Sequence, residues 1–63
     1  QPLSRVAPVR IKRGAWLGQN CVVMPGVTIG AGSVIGANSV VTRDIPDRTV
    51  AAGTPARILR SLS

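Results

Sequence analysis

Residues 11–46 read IKRGAWLGQNCVVMPGVTIGAGSVIGANSVVTRDIP, and an apolar residue returns at every sixth place: Ile11, Leu17, Val23, Ile29, Ile35 and Val41. A fixed internal period is the mark of a repeat architecture. With those residues as position one, position four carries Gly14, Asn20, Gly26, Gly32, Asn38 and Asp44. These residue types tolerate positive φ best, so each repeat contains its own bend. Position five carries Ala15, Cys21, Val27, Ser33, Ser39 and Ile45, mostly small side chains suited to a crowded interior. Positions five, six and one then form a short strand with two side chains in and one out, because strand side chains alternate.

Six is not a helical period, and Pro25 and Pro46 would break any long helix. A flat meander fails too, because bends every six residues leave strands too short to pair edge to edge. The pattern suits a three-sided prism in which 18 residues complete a coil, giving coils at 11–28 and 29–46. Position six then stacks Trp16 on Val34, Val22 on Val40 and Thr28 on Pro46. The apolar stripe so formed predicts a subunit contact.

The period fails before Val9 and again at Asp47. The reading divides the chain into an irregular lead-in (1–8), repeat coils (9–46) and a terminal element (47–63). In the last, Thr49 to Ala52 reads as a short strand, Gly53 as a bend, and Thr54-Pro55 as an N-cap with a favoured first helical residue. A short C-terminal α-helix is expected there, Ile58, Leu59 and Leu62 on one side, Arg57 and Arg60 on another, capping the prism.

Composition narrows the function classes. A chain of 63 residues buries little surface by itself, and Cys21, its single cysteine, cannot close an intrachain disulfide. Oligomerisation or further chain is expected to stabilise it. There is no apolar run of the roughly 20 residues that span a bilayer and no secretory signal pattern, so a cytoplasmic protein without membrane attachment is expected. Eight Lys/Arg against two acids give a charge of +6. The charges fall at both ends and at corners rather than along one face, and the only aromatic is Trp16, which argues against nucleic acid. Cys21, inward at position five, reads as packing rather than a nucleophile. Arg10, Lys12 and Arg13 read as a solvated corner.

The string WLGQNCVVMPGVTIGAGSVIGANSVVTRDIPDRTVAAGTPARILR, residues 16–60, resembles the C-terminal part of the hexapeptide-repeat O-acetyltransferases that modify galactosides, maltose, Nod factors and surface polysaccharides. The likeness extends over residues 9–60 and rests on the WLG opening, PGVTIG, GANSVV, the arginine before DIP, and AGTPAR. It implies an all-β fold, a left-handed parallel β-helix of about two to three coils, assembled as a homotrimer with active sites between prisms. It also implies acetyl transfer from acetyl-CoA to a sugar hydroxyl, with a histidine as general base.

The resemblance assigns coenzyme A contacts to Gln19, Ala37, the Thr42-Arg43 pair, Arg57 and Arg60. Small Ala37 admits the pantetheine arm to backbone groups, and Gln19 sits one coil earlier at the same corner. Arg43, Arg57 and Arg60 offer paired guanidinium donors to phosphate oxygens, and Thr42 adds a hydroxyl. Trp16 is placed at the interface or groove edge. The sequence departs from the family in one respect: it contains no histidine. The family's catalytic one would fall upstream of residue 1, so no catalytic residue is assigned and this segment is expected to be inactive alone. Without histidine ligands, a metal-dependent β-helix enzyme is not supported either. Two readings remain: the C-terminal portion of a sugar O-acetyltransferase, or a self-standing trimeric structural or binding module without chemistry.

Overall fold

A computed structural model of the chain describes residues 7–62; of the irregular lead-in expected at 1–8, all but Ala7 and Pro8 lies outside the described residues. Six two-residue strands follow one another: β1 (Arg10–Ile11), β2 (Trp16–Leu17), β3 (Val22–Val23), β4 (Thr28–Ile29), β5 (Val34–Ile35) and β6 (Val40–Val41). The first three each pair in parallel with the strand three places on: Arg10 faces Thr28, Trp16 faces Val34 and Val22 faces Val40, eighteen residues apart each time. The position-four residues make the bends, with φ of 75°, 59°, 82°, 68° and 61° at Gly14, Asn20, Gly26, Gly32 and Asn38.

The interior is a column of position-one and position-five side chains. Ile29, Ile35, Val41 and Ala51 are fully enclosed, with Val27 and Ile45 beside them and Ala15, Leu17, Cys21 and Val23 packed against the cluster. Two serines are equally buried. Ser33 Oγ donates to the Pro46 carbonyl and accepts the Thr49 amide, and Ser39 Oγ donates to the Gly36 carbonyl and accepts the Gly53 amide. Each serine thus spans two tiers, and among the described residues no buried side-chain nitrogen or oxygen lacks a partner.

The third tier is two residues short. Ile29 pairs with Ile45 and Val34 with Val50, sixteen residues on rather than eighteen. This corrects the sequence reading at three points. Ile45 takes the position-one slot above Ile29, not a position-five slot. Thr28 lies against Asp44, whose carboxylate accepts its amide, and not against Pro46. Asp44 is not among the residues with positive φ, so the shortened corner lacks the bend that Gly26 makes below it; Arg48, at 52°, makes the third-tier bend of a different column, above Gly32. A fixed count of six cannot show a deletion inside a corner, because the flanking residues still suit the slots that they nominally occupy.

The expected C-terminal helix is also absent, and it is replaced by a hairpin. β7 (Thr49–Gly53) stacks on β5, turns through Gly53, Thr54 and Pro55 with a cis Thr54-Pro55 peptide, and continues into β8 (Ala56–Ser61), antiparallel to β7. An isolated helix of two turns is marginal in water. A strand here instead satisfies the open backbone edge of β7. Ala52 faces Arg57, Ala51 faces Ile58 and Val50 faces Arg60, so Leu59 is the extra residue of a β-bulge. The bulge restores the phase across the odd spacing of Arg57 and Arg60, and both fall on the outer face of the sheet.

Candidate functional site

Three columns of corners run along the prism, and the assigned residues divide between two of them. One column stacks Gly18-Gln19-Asn20, Gly36-Ala37-Asn38 and Ala52-Gly53-Thr54. Its tiers are tied by the Asn38 amide on the Gln19 carbonyl at 2.8 Å and the Thr54 hydroxyl on the Asn38 carbonyl at 3.3 Å. The tiers lie so close that a Cβ on Gly18 would meet the Ala37 nitrogen at 2.7 Å. Cys21 lies at this corner with its thiol donating to the Gly36 carbonyl at 3.1 Å.

Among the described residues, the N–H and C=O of Ala37 take no hydrogen bond from the chain. The equivalent amide at the neighbouring corner, that of Ala31, is taken by the Asp47 carboxylate at 2.8 Å. The corner at Ala37 therefore offers a ligand both backbone groups behind a methyl side chain, whereas the corner at Ala31 has no free amide. A motif names Ala37, but which corner keeps its amide open depends on an aspartate sixteen residues away.

The second column ends in the shortened corner after β6. There Thr42, Arg43, Asp44 and Ile45 form one wall of a groove of about 290 Å³, and Pro55, Ala56, Arg57 and Ile58 form the other. Ile45 and the half-exposed Ile58 give the two walls apolar surface, and the exposed Arg43 and Arg57 bring one arginine to each. The structure thus brings Thr42, Arg43 and Arg57 together. Arg60 does not line the groove and pairs with Val50 further along β8. Gln19 and Ala37 lie on the other column, which leads up to Thr54, the residue before the groove wall at Pro55. Trp16 stands on the outer face of β2, stacked on Val34 and 70% exposed.

Asp44, Ile45, Pro55, Ala56 and Ile58 are the groove residues that sequence reasoning missed. The helix expected after Thr54 hid three of them, since a groove wall requires that segment to run extended. Asp44 was counted as an ordinary bend; its signal was the break of the period beside it. Among the described residues no group of His, Cys, Asp or Glu is arranged to hold a metal ion.

Known proteins share both sequence and fold with the chain. The family described as bacterial transferase hexapeptide (six repeats) matches residues 8–43. Galactoside O-acetyltransferase of Escherichia coli (strain K12) is 52% identical over 56 residues, covering 89% of the chain and 28% of that protein. A hexapeptide-repeat acetyltransferase of Vibrio cholerae O1 biovar eltor, solved with acetyl coenzyme A, superposes with a TM-score of 0.88 at 56% identity over 90% of the chain and 31% of its own. A maltose O-acetyltransferase of Clostridium difficile 630 gives 0.88 at 47% identity, again over 90% of the chain, and 30% of its own. The chain thus spans under a third of the length of these relatives. It has the C-terminal coils and the short parallel strands that they share, and it belongs to the hexapeptide-repeat acetyltransferase family.

Proposed function

We propose that the chain forms the donor-binding part of an acetyl-CoA-dependent sugar O-acetyltransferase. The observation that carries this is the continuity of one column of corners with one groove. The open backbone of Ala37 above Gln19 leads through Asn38 and Thr54 to a cleft walled by Pro55 and flanked by Arg43 and Arg57. An extended amide chain ending in a phosphorylated nucleoside has matching chemistry. Amides need backbone donors and acceptors, the base needs apolar surface such as Ile45 and Ile58, and phosphates need guanidinium donors. Thr42 adds a hydroxyl at the groove, and Arg60 sits along the same outer face as Arg57.

The kinship to galactoside and maltose O-acetyltransferases supports a sugar hydroxyl as acceptor, a left-handed coil and a homotrimer. A trimer also suits the outer faces: Trp16 is 70% and Val22 52% exposed. Trp16 then lies at the edge of the groove between prisms. Abstraction of the hydroxyl proton requires a base, and no histidine is present. These residues bind and orient the donor, and the base comes from elsewhere in the assembled enzyme. The same lack of histidine favours, as a second reading, a trimeric structural module without catalysis or a donor site.

Calorimetric titration of coenzyme A into the purified protein separates these readings, with mass measured alongside. Saturable binding by a trimer, weakened at least about tenfold by Arg43→Ala or Arg57→Ala, is expected, since each removes a charge-assisted contact. A folded protein indifferent to coenzyme A would overturn the donor-site reading.

A further inference from the structure

The ladder between tiers repeats one rung. The outward residue of each strand sends its amide to a backbone carbonyl in the next tier: Arg10 to Val27 at 3.1 Å, Trp16 to Ser33 at 2.8 Å and Val22 to Ser39 at 2.9 Å. Thr28 is next in the series. Two residues are missing from the corner above it, and its amide goes to Asp44 Oδ1 at 2.9 Å. A side chain has taken the place of a main-chain acceptor, and it has done so at the corner that forms one wall of the groove.

A carboxylate on the wall of a groove proposed to take an anionic ligand is electrostatically adverse to that ligand. Its presence calls for another use, and the Thr28 contact supplies one. The next rung, from the Ile45 amide to the Thr28 carbonyl at 2.9 Å, is again main chain, so the aspartate bridges a single missing step. The tether fixes where Thr42 and Arg43 leave the prism surface. We infer that Asp44 is a positioning residue: its carboxylate replaces the missing rung and holds the Thr42-Arg43 corner at the donor groove.

This inference rests on the donor-site reading, and its test separates the two. Asparagine keeps an acceptor oxygen and discards the charge; alanine discards both. Asp44→Asn is expected to bind coenzyme A at least as tightly as the unaltered protein. Asp44→Ala is expected to bind about tenfold more weakly, the worth of one lost charge-assisted contact. Amide exchange at Thr28 is expected to be slow in the unaltered protein and in Asp44→Asn, and fast in Asp44→Ala.

Weaker binding by Asp44→Asn overturns the inference, whether or not Asp44→Ala folds, because the charge would then be what matters. Unchanged binding by Asp44→Ala overturns it equally. Failure of the unaltered protein to bind coenzyme A sinks the donor-site reading instead, and Thr28 exchange then decides alone whether Asp44 is the rung.

Discussion

At the scale of single residues, the prism depends on groups that no apolar pattern reveals. Ser33 is buried with its Oγ between the Pro46 carbonyl and the Thr49 amide, so Ser33→Ala leaves an enclosed donor without a partner. A loss of about 1–3 kcal/mol is expected, measurable as a lower urea midpoint at unchanged slope. Gly30 is constrained by contact rather than by φ: a Cβ there would stand 2.4 Å from the Asp47 nitrogen and the Pro46 carbonyl carbon. Main chain cannot yield as a flexible side chain does, so Gly30→Ala is expected to cost at least about 3 kcal/mol, the upper end for overpacking. Asn38, at φ 61°, should tolerate Gly with little change in melting temperature. The bends at Gly14 through Asn38 were legible because their residue types announce positive φ. Serine at position five announced only small size; that it links tiers depends on chain brought above it by the short step.

Among the elements, the β7–β8 hairpin joins stability to binding. It closes the edge of the last tier, and it contributes Pro55, Ala56, Arg57 and Ile58 to the groove. Removal of residues 54–63 should abolish coenzyme A binding in calorimetry and produce concentration-dependent association in light scattering, as exposed strand edges do. The strands β1 to β6 could be read from the six-residue period, because together they repeat one local rule six times. The hairpin could not. Thr54-Pro55 followed by Ile58, Leu59 and Leu62 satisfies a helical pattern equally well, and the decision falls to the unpaired edge of β7. Arg57 and Arg60 illustrate the point: three apart, they share a helical face by spacing, yet they share a sheet face through the bulge at Leu59.

For the whole molecule, charge is the dominant long-range feature. The chain carries +6, and its two carboxylates are each engaged by a backbone amide, Asp44 by Thr28 and Asp47 by Ala31. Self-repulsion of the remaining positive groups should be relieved by screening, so melting temperature is expected to rise with salt up to about 0.15 M. Affinity for coenzyme A should fall over the same range; calorimetry at two ionic strengths checks this against the melting curves.

The hairpin has a consequence for assembly. A regular solenoid is a screw: one operation maps each tier onto the next, and a copy that docks end to end can continue it into a fibre. The two-residue step leaves that thread intact, with Ile45 above Ile29 and Ala51 above Ile35. Strand β8 does not continue it: it runs antiparallel along β7, on the edge where a parallel strand of a further tier would pair. The chain's own reversed strand thus occupies the place that a second molecule would need to propagate the helix.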